Sequence, residues 1–156
     1  MKITTKGIRK QQITRNELVY LSTFVGKLLM PRMYKKLELE ITFSDLSGSA
    51  YAYCHSYDDD PQRFFEIEMQ EKLTRRHHIS LMCHELVHVK QYARGELKHL
   101  SRDTRDSFMG VRYCPQKTDY WDQPWEIEAF GREVGLATRY FDHIEEQPEL
   151  LKKFLK

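Results

Sequence analysis

The 156-residue chain has only three cysteines, Cys54, Cys83 and Cys114, an odd number with no CxxC pair. That count excludes a disulfide framework and an all-cysteine structural zinc site, and makes a reducing, cytoplasmic setting the expectation. No apolar run approaches the roughly 18 residues of a membrane span. The opening Met1-Lys2-Ile3-Thr4-Thr5-Lys6 lacks the apolar stretch of a secretory signal. Charge of one sign is lacking too. With 25 basic and 23 acidic residues the net charge is +2, so neither nucleic acid nor a membrane surface has an electrostatic footprint here. Arg75-Arg76-His77-His78 is a local basic cluster only. There is no internal repeat, low-complexity segment or linker, so residues 1–156 read as a single domain. Its 40% hydrophobic and 31% charged content is that of an ordinary globular chain long enough to bury one core.

Periodicity places the elements. Thr14-Arg15-Asn16-Glu17 has the form of a capping box, and Leu18, Leu21, Val25 and Leu28 follow at helical spacing until Pro31 stops them. Leu37, Leu39, Ile41 and Phe43 alternate with polar residues, as in a strand with one buried face. A loop through Gly48, with three serines, leads to a second strand over Ala50 to His55. Asp58-Asp59-Asp60-Pro61 reads as a solvated turn, without the rest of a calcium loop, before a third strand from Phe64 to Met69. From Thr74 to Arg94 a long helix carries Ile79, Met82, Leu86, Val89 and Ala93 in one stripe, with Leu81, Cys83 and Val87 on its other sides. A helix apolar on most faces is expected to be buried between a sheet and another helix. Gly95 ends it and opens a polar connection through His99 to Asp103. A short strand or hairpin arm is expected within Phe108 to Cys114. Asp122-Gln123-Pro124-Trp125 then starts a helix with the core stripe Ile127, Phe130, Val134, Ala137 and Phe141. A short charged helix closes the chain beyond Pro148.

Chemistry concentrates at His84-Glu85-Leu86-Val87-His88. Residues four apart share a helix face, so the two histidines can direct their rings at one Zn²⁺ while Glu85 handles a proton beside them. Two imidazoles and one further ligand leave a position for water. Three residues could supply that ligand: Glu126, Glu128 and His99. Glu126 is followed one turn on by Ala129 and Phe130, a small and a buried residue, which suits a glutamate facing a closely packed helix. Glu128 has Arg132 at i+4, the spacing of a solvent-facing salt bridge. Glu126 is therefore favoured, against the alternative that it only caps its helix with Gln123 as N-cap. The HExxHxxGxxH form is excluded, because Gln91 and Arg94 occupy its glycine and histidine positions.

His84-Glu85-x-x-His88 is followed, 126 − 88 = 38 residues later, by Pro124-Trp125-Glu126-Ile127-Glu128-Ala129. This combination resembles the gluzincin metallopeptidases, in particular the small forms called minigluzincins. Val87 to Gly95 also resembles the end of the zinc helix in small phage-type members. The resemblance spans about Arg15 to Tyr140, with its specific motifs in two short segments. It implies zinc ligands His84, His88 and Glu126, with Glu85 as general base. It implies an α+β, zincin-like domain in which a small, mostly antiparallel sheet packs on the HExxH helix and a C-terminal glutamate helix. Phe130 stands where many gluzincins have an aspartate that orients a zinc histidine. No oxyanion stabiliser matches either, although Tyr113, Tyr120 and Arg112 lie in a suitable loop.

The expected function is a zinc-dependent peptidase, hydrolysing a peptide or protein substrate with zinc-activated water and Glu85 as base. An extended substrate is expected to pair with the Phe64 to Met69 strand. Two alternatives stand beside it: a SprT-like protein acting on DNA-bound proteins with His99 as third ligand, and a non-catalytic zinc-binding module.

Overall fold

The computed structural model describes residues 1–7, 13–46, 51–57, 62–100 and 105–154. The loop through Gly48, the Asp58 to Pro61 turn and the Ser101 to Asp103 connection lie outside them. An N-terminal strand β1 (Lys2–Lys6), which the sequence reading did not anticipate, precedes the first helix α1 (Arg15–Leu29). Thr14 caps α1 by accepting the Glu17 amide at 3.2 Å. The Glu17 carboxylate does not fold back to complete the capping box. It is buried, accepts both Arg75 Nε contacts at 3.0 Å and receives the Tyr140 hydroxyl at 3.2 Å. Leu18, Leu21 and Val25 are buried along α1, whereas Leu28 is exposed.

Strands β2 (Glu38–Ser44), β3 (Ala52–Ser56) and β4 (Phe64–Gln70) follow, and the sheet order is β1-β2-β4-β3. The pairs β1–β2 and β2–β4 are parallel and β3–β4 is antiparallel. Parallel neighbours need a crossover, and α1 supplies it between β1 and β2. Antiparallel pairing thus holds at β3–β4 and throughout a second sheet, while the centre of the first sheet is parallel. Register puts Leu39 beside Phe65, Ile41 beside Ile67 and Phe43 beside Met69, forming one apolar face. At roughly 1.5–3 kcal/mol for each buried large apolar side chain, this ladder is a principal source of stability.

Helix α2 (Arg75–Ala93) starts at its cap Thr74, and His78 ties its first turn back to β4 by donating from Nε2 to the Gln70 carbonyl at 3.0 Å. It packs against β3, β4, α1 and the later helix α3 (Pro124–Glu145), and every residue from Met82 to Gln91 is buried. Gly95, at φ +67°, takes the left-handed turn that ends α2. Three short strands, β5 (Leu97–His99), β6 (Asp106–Phe108) and β7 (Val111–Tyr113), make the antiparallel second sheet. The β6–β7 hairpin turns through Met109 and Gly110, both at positive φ. Helix α4 (Pro148–Phe154) closes the described chain. Among the described residues, no helix is long and apolar enough to cross a membrane.

The expected stripe on α3 is out of phase. Ile127 and Val134 are 56% and 69% exposed, Phe130 is exposed as well, and Phe141 is half-buried; of the five, only Ala137 is buried. The inward face is instead Trp125, Glu126, Ala129, Leu136, Ala137, Tyr140 and Ile144. Polar contacts to α2 and α1 set this phase, and a count of apolar residues does not register them.

Candidate metal centre

Helices α2 and α3 bring His84, His88 and Glu126 together, as the HExxH spacing and the favoured third residue predicted. His84 and His88 lie one turn apart on α2, so both rings leave the same face. Their Nε2 atoms are 3.2 Å apart. The Glu126 carboxylate completes the triangle, with Oε2 3.3 Å from His84 Nε2 and Oε1 3.5 Å from His88 Nε2. Ligands placed tetrahedrally at zinc's usual 2.0–2.1 Å stand about 3.3 Å from one another, which is the spacing found here. All three residues are buried.

Glu126 has left its capping role. Its amide meets only the Gln123 carbonyl, Gln123 makes no side-chain cap, and the carboxylate points to the histidines and to Tyr120, whose hydroxyl donates to Oε2 at 2.8 Å. Glu128 keeps its expected pair with Arg132 at 2.8 Å but is more than a surface residue, since it also accepts from buried Lys90 at 2.6 Å. His99 stands apart from the cluster. Its Nδ1 faces Asp106 Oδ1 at 2.7 Å and its Nε2 faces the Tyr92 hydroxyl at 2.8 Å.

The far side of each clustered ring is also held. His84 Nδ1 meets Glu133 Oε2 at 3.2 Å, and Ser80 donates to the other Glu133 oxygen. His88 Nδ1 meets Gln91 Oε1 at 2.9 Å. Glu133 and Gln91 were not foreseen. The position where an aspartate was sought holds Phe130, whose ring lies 4.4 Å from that of His84. Glu133 sits seven residues after Glu126, two turns along the same face, and that spacing is the signal available in the sequence.

Electrostatics show a demand for positive charge. Burial disfavours the His84 imidazolium, yet hydrogen bonds to Glu126 and Glu133 overcome it and raise the pKa to about 9. His88 moves in the same direction: burial opposes the shift, and Glu126 and the Glu85 charge outweigh it. For Glu126, burial acts to raise the pKa, but the two histidines and Tyr120 pull it down to about 2. Glu85 is raised, chiefly by burial and further by Glu126 and Glu133.

The cluster opens into a cleft of about 1020 Å³ that Glu85, Tyr120, Trp121, Phe130, Tyr92 and His99 help to line. One wall is β3, through Ala52, Tyr53 and Cys54. No protein-family profile, curated protein or solved structure matches this chain. The site stands on its geometry alone. Of the three residues considered for oxyanion stabilisation, Tyr120 lines the cleft, whereas Tyr113 packs on Trp125 with ring centroids 5.9 Å apart and Arg112 is exposed on β7. Cys83 is a buried, free thiol, as its place on α2 suggested.

Proposed function

We propose that the protein is a zinc-dependent peptidase of gluzincin type, with His84, His88 and Glu126 as ligands and Glu85 as general base. One observation carries this reading: three acceptor groups converge at 3.2–3.5 Å beside a buried carboxylate, in the lining of a cleft. Lone pairs brought together in this way repel one another unless a cation or proton sits among them. The set of two imidazoles and a carboxylate is one of the recurrent donor sets of catalytic zinc.

Zinc in this position supplies a Lewis acid that lowers the pKa of water and polarises a carbonyl. Glu85 takes the water proton and passes it to the leaving amine, and its raised pKa brings it nearer the range where it can do both. Tyr120 keeps its proton, because burial and its bond to Glu126 raise its pKa further. Its single O–H is given to Glu126 here, and would serve the carbonyl oxygen on which charge develops only by turning from that carboxylate.

The strand that orients the substrate must differ from the one expected. β4 lies between β2 and β3, so both of its edges are paired, while β3 ends the sheet and lines the cleft. An extended peptide would add to β3.

The test is metal analysis of protein purified without added zinc, followed by peptide-library digestion read by mass spectrometry. Wild type is expected to hold one zinc per chain and to cleave. Glu85→Gln is expected to hold zinc equally and not to cleave. Cleavage retained by that variant would sink the mechanism, and failure to take up zinc would sink the site. The SprT-like alternative gains no support, because both His99 ring nitrogens are engaged elsewhere.

A further inference from the structure

We infer that Glu128, passed over as a ligand, is a positioning residue for the metal site, acting on His88 through Gln91. The inference rests on the zinc reading above and adds a residue that touches neither metal nor substrate.

Gln91 is fully buried and makes three contacts that leave its amide one orientation. Nε2 lies 2.9 Å from the Trp125 carbonyl oxygen and 3.1 Å from Glu128 Oε2. Both are pure acceptors, so the NH₂ end must face them, and Oε1 must face His88 Nδ1. Reversing the amide would set a carbonyl against two acceptors in a buried place, at a cost of about 1–3 kcal/mol for each group left unsatisfied. An amide oxygen can only accept, so the neutral His88 ring carries its proton on Nδ1. Its Nε2 is thereby left with a lone pair directed at His84 and Glu126, the form that ligates a metal.

Glu128 holds this arrangement. Its carboxylate takes one Gln91 N–H, and it is itself fixed by Lys90 at 2.6 Å and Arg132 at 2.8 Å. Lys90 is buried and also pairs with Glu96 at 2.7 Å, so the relay is braced by α2 and by the segment leading into β5. His84 needs no such relay, since the Glu133 carboxylate reaches its Nδ1 directly. The two zinc histidines are therefore oriented by different means: one by a carboxylate, the other by a neutral amide that a carboxylate locks in place.

Zinc dissociation constants from chelator competition test this, together with the His88 Nδ1–H proton signal in the zinc-loaded protein. Glu128→Ala is expected to weaken zinc about tenfold and to speed solvent exchange of that ring proton. Glu128→Gln can still accept from Gln91, so affinity within about threefold of wild type is expected even though the Lys90 ion pair is lost and the melting temperature falls. Arg139→Ala, at an exposed position further along α3, is expected to change neither readout. A merely structural role would lower the melting temperature in both Glu128 variants and leave zinc affinity untouched, and that outcome overturns the proposal. Wild type that binds no zinc overturns the metal reading and this proposal with it. Equal zinc affinity in wild type and Glu128→Ala overturns the relay alone.

Discussion

Glu133 shows how much of this candidate site depends on single side chains beyond the clustered His84, His88 and Glu126. Its carboxylate meets His84 at 3.2 Å and accepts the Ser80 hydroxyl, so it fixes the ring and adds negative charge behind it. Glu133→Ala should lower zinc affinity about 10–100-fold, as loss of an outer partner commonly does, measured by the same chelator competition. Unchanged affinity would remove Glu133 from the site. Tyr120→Phe removes a hydrogen bond to Glu126 as well as the carbonyl donor, so it is read in protein kept fully zinc-loaded: kcat for peptide hydrolysis is expected to fall about 10²-fold with little change in KM. That His84 and His88 share a face was legible in the sequence because helix geometry ties spacing to direction, and Glu126, which converges on them, was favoured over Glu128 by its neighbours one turn on. Gln91 and Glu133 were not, because a long polar side chain has no partner until the phase of the facing helix is known. His99 illustrates the converse: a histidine at a plausible spacing that β5 and β6 turn toward Asp106.

Helix α3 is the element on which sequence periodicity and packing part company. Ile127, Phe130 and Val134 make a regular stripe, yet Glu126 facing the histidines, Glu133 facing Ser80 and Tyr140 facing Glu17 rotate that stripe toward solvent. Urea unfolding distinguishes the two phases. Val134→Ser is expected to change stability by no more than about 0.5 kcal/mol, whereas Leu136→Ala, on the inward face, should cost about 2–5 kcal/mol. The reverse ranking would restore the stripe read from sequence. Gly95→Ala should cost about 1–2 kcal/mol, because its φ of +67° is one that a β-carbon resists. The helix ends were legible because Thr14, Thr74 and Gly95 act locally. Strand partners were not, because alternation marks a buried face without naming the neighbour, so β4 was taken for an edge strand.

Across the whole molecule, the charge pair at the candidate metal centre sets a pH window. In the metal-free protein His84, ordinarily near 6.5, is raised to about 9, and Glu126, ordinarily near 4.5, is lowered to about 2. A raised histidine contributes stability that is complete below its unfolded value and disappears as pH rises through the folded one. A lowered glutamate contributes stability present above its unfolded value and lost as pH falls through the folded one. Metal-free protein is therefore expected to be most stable between about pH 4.5 and 6.5, with melting temperature declining toward pH 9 and toward pH 2. Zinc takes the place of the proton, so the alkaline decline should flatten in the zinc form. Equal declines with and without zinc would contradict this. The α+β class was legible from the mixture of periods. The parallel pairings of the sheet were not: β1 is a five-residue edge strand with a single large apolar residue, Ile3, whose pairing with β2 closes over the whole of α1, and β2 pairs past β3 with β4.

The unbroken burial of α2 from Met82 to Gln91 has a consequence in time as well as in space. With the sheet, α1 and α3 around it, this helix has no solvent-facing turn at its centre to open by itself. Its amide hydrogens should be among the slowest in the molecule to exchange with deuterium, at rates set by global unfolding. The two histidines and the glutamate between them ride on that slowest segment. Their arrangement on α2 persists for as long as the chain stays folded, and losing that half of the site and losing the fold would be a single event.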